Sequence, residues 1–433
     1  MVTLLIYGWV LAILLLMFTN ERLGIALFIP YVILMPFFNP TILYVLVLVA
    51  YVLAKRRTGE DFSWDVGPTR PFFLFFVAFL CLIPFQSFTP IGAQIGYWCN
   101  EICTTMILPL LIWWEVQSDK TSYYLFRKVL IACILIVSIY GLLLTLSPGS
   151  NPYLFFLMDS IGIDAAQDLQ TYTEAGDGRM FGRISSFFLH PMTFGLFLGM
   201  SLVYWISISH SQRDKYFYLT IVLLSLNAVF CGVRSVIAAL FIVGVIYVVF
   251  ERKIPVSKRT LVLFLVALVI LSQIPYLQTY IGSIFGGSND EVSGSSLDMR
   301  LMQYLGCLDE FMDSPWIGKG YAWHKYYVST YGDHPILLAF ESLVYVVLCD
   351  GGLMGVLIWC MFMIGYMIAV KRGVKHDFTL FLMLIAFYIS YSCITGEFGY
   401  MKYFLLFFIL LYIDRQSICH VDENVAESVA EEV

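Results

Sequence analysis

The chain has 433 residues, 60% of them hydrophobic and 13% charged, with a mean hydropathy of +0.82 and a net charge of −6. A soluble domain is about 25% charged, so too little polar surface is present to cover a soluble fold of this size. Disorder and collagen-like repeats fall to the same arithmetic, the negative charge gives no support to nucleic-acid binding, and what remains is a polytopic membrane protein.

Apolar runs predict spans over 2–18, 23–54, 72–88, 102–114, 129–146, 187–206, 216–233, 235–250, 260–276, 353–370, 378–395 and 401–413. That is an all-α fold of about 12 transmembrane helices, with a range of roughly 11–13. The first run has no basic stretch before it and no small-residue cleavage site after it, so it reads as a span rather than a signal peptide. The second is too long for one span and is interrupted by Pro30, Pro36 and Pro40. It is either one broken, tilted helix or two short ones. The apolar stretch 336–349 is too short to span, and it reads as a helix lying at the outer surface or dipping into the protein.

Lys and Arg set the orientation. Most of them fall in one set of loops, around Lys55–Arg57, Arg70, Lys120–Lys128, Arg213–Lys215, Arg252–Arg259, Lys371–Lys375 and Arg415. Those loops are predicted to face the cytoplasm, and both termini join them if 23–54 is one span. The outer face is left with Arg22, Arg179, Arg183, Arg234, Arg300, Lys319, Lys325 and Lys402, and with two long segments, 147–186 and 277–352. Residues 1–416 therefore read as a single membrane domain with an outer cap. Residues 417–433 carry Asp422, Glu423, Glu427, Glu431 and Glu432 without a Lys or Arg, which predicts a disordered acidic cytoplasmic tail. Most of the ten Cys fall in apolar runs and act as small hydrophobes. Cys99 and Cys103 lack the second pair a zinc site needs, so neither a disulfide framework nor a structural metal is expected.

Arg234 sits between two apolar runs with almost no loop. A charge held there needs a partner. It either reaches up to lipid headgroups or faces a cavity as an anion site, where its planar fork suits phosphate. Arg300 opens a helical pattern through Phe311, with Ser295 or Ser296 as N-cap, and pairs either with an anion or with a loop acid such as Asp298. Arg179 and Arg183 precede the 187–206 span, close to the outer lipid surface. His190 lies just inside that span. Glu341 interrupts the apolar 336–349 stretch. A partly desolvated carboxylate holds a proton more readily, which suits a general base near neutral pH. His334 is a second base candidate, on a loop. Trp316, Tyr321, Trp323, Tyr326, Tyr327 and Tyr331 suit stacking on sugars, although such rings also gather at any membrane interface. No nucleotide loop, acidic pair with metal spacing or HExxH is present, so neither a nucleotide-sugar donor nor a catalytic metal is supported.

Three segments together resemble the O-antigen ligase and polymerase superfamily, integral membrane glycosyltransferases of the GT-C class. The first is Gly232-Val233-Arg234-Ser235-Val236-Ile237-Ala238. The second runs from Arg300 through Pro315-Trp316-Ile317-Gly318-Lys319-Gly320. The third runs from Glu341-Ser342-Leu343 through Asp350-Gly351-Gly352-Leu353-Met354-Gly355. The stretch from Gly182-Arg183 to His190-Pro191 adds to the likeness. Ligases of this kind carry His where Glu341 stands, whereas Glu-Ser at that place is similar to repeat-unit polymerases.

The resemblance implies a GT-C-like fold and a metal-independent, inverting transfer without cofactor. The donor would be a glycan on undecaprenyl pyrophosphate, at the periplasmic side of a bacterial inner membrane, with membrane lipid and a chain-length regulator protein as further partners. Arg234 and Arg300, with Arg183 and Arg179, would bind the pyrophosphate, and Glu341, or else His334, would be the base. The reading is polymerase, with O-antigen ligase as the alternative. A lipid-linked sugar flippase stays open as a different class, although transporters place their charges near mid-membrane and show paired repeats.

Overall fold

The computed structural model describes residues 2–36, 40–59, 64–146, 151–155, 183–208, 213, 216–251, 297–338, 340–374, 377–395 and 401–431. Among these residues the chain is helical and forms no strand. Its helices are α1 (Val2–Thr19), α2 (Glu21–Leu34), α3 (Thr41–Thr58), α4 (Arg70–Leu82), α5 (Ile91–Ser118), α6 (Ser122–Leu144), α7 (Pro191–Ser207), α8 (Phe217–Phe230), α9 (Arg234–Ile246), α10 (Leu297–Met312), α11 (Trp323–Tyr331), α12 (Leu343–Gly373), α13 (Phe378–Thr395) and α14 (Met401–Glu431).

Among the described residues, five stretches are long and apolar enough to cross a membrane: Gly67–Phe85, α5, α6, α12 and α13. Four shorter apolar helices accompany them, at Leu4–Thr19, α7, α8 and Arg234–Phe250. The all-α membrane fold stands. The expected span over 260–276 lies outside the described residues.

The stretch 23–54 is two helices, α2 and α3. A proline disfavours helical backbone in the residue before it, and Met35, ahead of Pro36, leaves the helix at φ −120°, ψ 51°. Pro40 then caps the start of α3. This break settles the orientation of the first hairpin. The Asn20 side chain caps α2 by accepting from the Leu23 N–H at 3.1 Å. The Trp9 indole donates across the hairpin to the Leu27 carbonyl. Arg57, at the basic end of α3, donates to the Phe18 carbonyl at 2.9 Å. Arg22 pairs with Asp119 at 3.0 Å, beside Lys120. Arg22, expected on the outer face, therefore belongs to the basic face. The start of α1 lies on the opposite face, because an extra crossing reverses the expected position of the N-terminus.

Residues 403–414 of α14 are buried. A helix apolar on every side belongs in the centre of a bundle, and here α5, α7 and α13 surround it. Tyr388 stacks on Phe404 with centroids 4.8 Å apart. Arg415 closes the basic end by pairing with Asp377 at 3.4 Å. Lys55 and Glu115 form a buried pair at 3.2 Å near the same face. The backbone of α14 runs on as helix to Glu431, through the tail that composition predicts to be disordered. Its Ala and Glu are strong helix formers, and the preceding helix supplies the nucleus that helix growth needs.

Candidate functional site

The face opposite the basic one is built around a break in α12. Gly352 has φ +59° and ψ −151°, which splits the helix into a short arm from Leu343 and a long arm to Gly373. A break leaves backbone donors and acceptors without intrahelical partners. The loop 315–320 supplies them. The Leu353 and Met354 N–H groups donate to the Pro315 and Trp316 carbonyls, both at 2.9 Å. The Cys349 and Asp350 carbonyls accept from the Lys319 and Gly320 N–H groups at 2.8 and 3.1 Å. Gly318 has φ +69°, and a Cβ on it would stand 2.3 Å from the Asp350 carbonyl oxygen. The two glycine motifs of the sequence are thus the two halves of one interlock.

The short arm of α12 carries Glu341 at its entrance. The expected helix over 336–349 begins only at Leu343, with Ser342 as its N-cap. The Ser342 hydroxyl accepts from the Val344 N–H and donates to the Cys393 carbonyl at the end of α13, at 2.8 Å. Before it the chain makes a tight turn in which Leu338 and Phe340 take φ +52° and +56°. Left-handed backbone costs a non-glycine residue roughly 1–2 kcal/mol, so the turn must be held in place. His334 and Leu338 exchange both backbone hydrogen bonds. The His334 Nδ1 accepts from the Ile336 and Leu337 N–H groups at 3.2 and 3.0 Å. Glu341 therefore stands on a rigid ledge rather than inside an apolar helix.

Arg300 faces it from the first turn of α10. Its guanidinium pairs with the Glu341 carboxylate at 3.1 Å and donates to the Glu341 carbonyl at 2.9 Å. A further bond at 3.2 Å goes to Gln303. A cation in the first turn of a helix opposes the helix dipole, and the carboxylate offsets that. The sequence offers Arg300 an anion or a loop acid such as Asp298; the fold brings up Glu341, and about a quarter of each side chain stays exposed.

Arg234 opens α9 at the same end of the bundle. Gly232, at φ +68°, turns the chain between α8 and α9, and α9 packs along α13. The ends of α7, α9 and α13 converge here, because a Cβ on Gly195 would meet Val236, Val233 and the Tyr391 hydroxyl. Tyr391 donates to the Met192 carbonyl at 2.6 Å, and His190 caps α7 by accepting from the Met192 N–H. Arg183 is half-buried, seven residues before the His190 cap of α7. Arg179 lies outside the described residues. The Ser342–Cys393 bond joins this cluster, through α13, to the Arg300–Glu341 ledge.

His334 has both ring nitrogens engaged, since Nε2 lies 3.1 Å from Glu310. Glu310 also holds Lys319, which bonds Asp313 at 2.6 Å and lies over the Trp323 ring at 4.8 Å. Burial pulls the Lys319 pKa down, but its bonds to Asp313 and Glu310 outweigh that and leave it raised. Of the six candidate sugar-stacking rings, Tyr321 and Trp323 are buried, while Trp316 and Tyr331 are exposed.

Several polar residues that hold the site go unnoticed in sequence. His324 lies 2.6 Å from Asp350 through Nδ1, and its N–H donates to the same carboxylate. Gln86 donates to the Asp350 carbonyl, and both Gln86 and Gln94 accept from the Tyr321 N–H. Buried Glu101 accepts from the Tyr321 hydroxyl at 2.6 Å and pairs with Lys325. The one visible signal was Glu101 itself, an acid within a long helical pattern.

An apolar hollow of about 530 Å³ adjoins the ledge, lined by Leu343, Val347, Val356, Trp359, Ile389 and Cys393 among others. A guanidinium–carboxylate ledge thus stands between a polar cap and a greasy groove. No match is found among curated proteins. Residues 219–360, which contain Arg234, Arg300 and Glu341, match the family described as O-Antigen ligase, and this supports a place for the chain in the O-antigen ligase and polymerase superfamily.

Proposed function

We propose that this protein is a repeat-unit polymerase. It joins undecaprenyl-pyrophosphate-linked oligosaccharides into O-antigen or a related surface polysaccharide at the periplasmic face of a bacterial inner membrane. The observation that carries this reading is the Arg300–Glu341 pair at 3.1 Å. It sets a phosphate-binding group beside a carboxylate base at the place where the resembling ligases have His.

A pyrophosphate competes with Glu341 for Arg300. Arg300 keeps its bond to the Glu341 carbonyl and stays aimed while its second arm turns to phosphate. Glu341, relieved of its cation, accepts the proton of an acceptor hydroxyl. The hydroxyl oxygen bonds to the anomeric carbon as the bond to pyrophosphate breaks, and Arg300 and Arg234 stabilise the charge that develops on the leaving group. Arg183 assists from the α7 side. His334, with both nitrogens engaged, positions the ledge. The apolar hollow beside Leu343 suits a donor with a polyprenyl tail.

Ligase activity is the second reading, favoured by the description of the matching family. A gel profile of surface glycan and lipid-linked intermediates in a deletion strain, with a complemented control, separates the two. Single-repeat caps in place of long chains support the polymerase. Long lipid-linked polymer that never reaches its acceptor supports the ligase, and transport of lipid-linked sugar with unchanged chain length overturns both.

A further inference from the structure

We propose that Cys307 and Cys349 form a disulfide bond that fastens α10 to the short arm of α12 beside the Arg300–Glu341 ledge. Their sulfur atoms lie 3.8 Å apart, and both residues are fully buried. A disulfide needs the sulfurs at about 2.05 Å, so the pair stands one small closure from bonding.

Three observations favour the bond. First, α10 already meets α12 and the ledge that leads into it. The Tyr345 hydroxyl of α12 donates to the Arg300 carbonyl at 3.2 Å, and Arg300 reaches Glu341 just ahead of α12. The cysteines stand further along the same two helices. Second, α10 approaches the 334–341 turn closely, since a Cβ on Gly306 would stand 2.6 Å from the Ile336 side chain. The register at Cys307 is therefore fixed from both sides. Third, this end of the bundle lies opposite the Lys- and Arg-rich face, and so away from the cytoplasm. Disulfides persist in that oxidising compartment. The inference rests on the orientation used in the proposed function.

From the sequence no disulfide is expected, and nothing local pairs two residues that stand 42 positions apart. Between them lie the 315–320 loop, α11 and the His334 turn. A bond that closes this segment restricts the unfolded cap as a whole. The oxidant is an oxidised dithiol–disulfide oxidoreductase acting on the folding chain before α10 packs down. One cysteine thiolate attacks the oxidoreductase disulfide to give a mixed disulfide. The second thiolate then displaces the oxidoreductase sulfur. Two electrons and two protons leave the cysteine pair, and the oxidoreductase departs as its dithiol.

The test is mass spectrometry of the full-length protein, extracted from membranes with its free thiols alkylated and digested without reductant. The expected result is a linked peptide containing Cys307 and Cys349 that separates on reduction. Cys307→Ser, Cys349→Ser and the double variant should lower the unfolding temperature by the same amount, because each breaks the same bond. A companion variant, Ser329→Cys at an exposed position of α11, is treated with a membrane-impermeant maleimide in intact spheroplasts. Alkylated Cys307 and Cys349 with Ser329→Cys labelled in intact spheroplasts overturn the bond and leave the orientation standing. Labelling only after lysis overturns the orientation and the bond with it. Should the serine variants fail to accumulate, the wild-type digest decides alone.

Discussion

Arg300 and Glu341 meet at 3.1 Å across 41 positions of sequence, and the same guanidinium also holds the Glu341 backbone carbonyl. One arginine thus fixes both the charge and the position of the carboxylate. A lysine ammonium is a point charge and cannot make both contacts from one planar fork.

Arg300→Lys and Arg234→Lys should each cut polymer formation by about 10²-fold or more, the scale of losing one aimed donor to a developing anion. Radiolabelled repeat-unit incorporation by membranes, normalised to protein level, measures it. Near wild-type polymer from well-expressed Arg234→Lys protein would remove the phosphate role.

Glu341→Gln keeps the shape of the side chain and removes the base. Activity should fall by about 10²- to 10⁴-fold, the usual contribution of general base catalysis. Unfolding temperature should change little, because a partly exposed ion pair contributes only about 1 kcal/mol or less. His334→Asn, which keeps an acceptor for the turn's backbone donors, should retain most activity. The reverse pattern would make His334 the base and favour the ligase.

The glycine interlock separates structural positions from open ones. Gly352→Ala would place a Cβ 2.7 Å from the Gly318 nitrogen and the Pro315 oxygen, at φ +59°. It should lower the unfolding temperature sharply, since the loop must leave the four backbone groups it satisfies. Gly96→Ala, with nothing within 4 Å in α5, should be neutral or stabilising by up to about 1 kcal/mol. Thermal unfolding in detergent reads both.

Lys319 gives a pH dependence with a definite sign. Its folded pKa is raised, with Asp313 and Glu310 outweighing the effect of burial. Its contribution to stability is therefore complete below the unfolded lysine value of about 10.4 and is lost as pH rises through the folded value. The stability gap between wild type and Lys319→Met should stay constant across neutral pH and shrink only in the alkaline range. A gap that closes between pH 6 and pH 8 would contradict this assignment.

Much of the molecule was legible before folding. The hydropathy pattern identified an all-helical membrane protein, because apolar runs of span length have no soluble alternative. Charge separated the basic loops from the face that carries Arg234, Arg300 and Glu341. Arg234 stands out in the sequence because a cation between two apolar runs is costly without a partner.

The misses have physical causes. The stretch 336–349 has helical composition, yet 334–341 is a strained turn, because His334 and Leu338 bond to each other and tertiary contacts override propensity. Arg22 joined the wrong face in sequence, since one proline break between α2 and α3 changes the parity of every position before it. The Tyr321 and Trp323 rings matched a sugar platform in composition but lie in the core.

The sequence by itself determined the fold class, the location of the charges and the residue types available for chemistry, since these follow from local hydropathy and composition. Only the tertiary structure decided which charges meet. The pairing of Arg300 with Glu341, the seating of the 315–320 loop in the break of α12 and the approach of Cys307 to Cys349 all join distant segments. Such contacts depend on how the helices pack, and no local pattern encodes that distance.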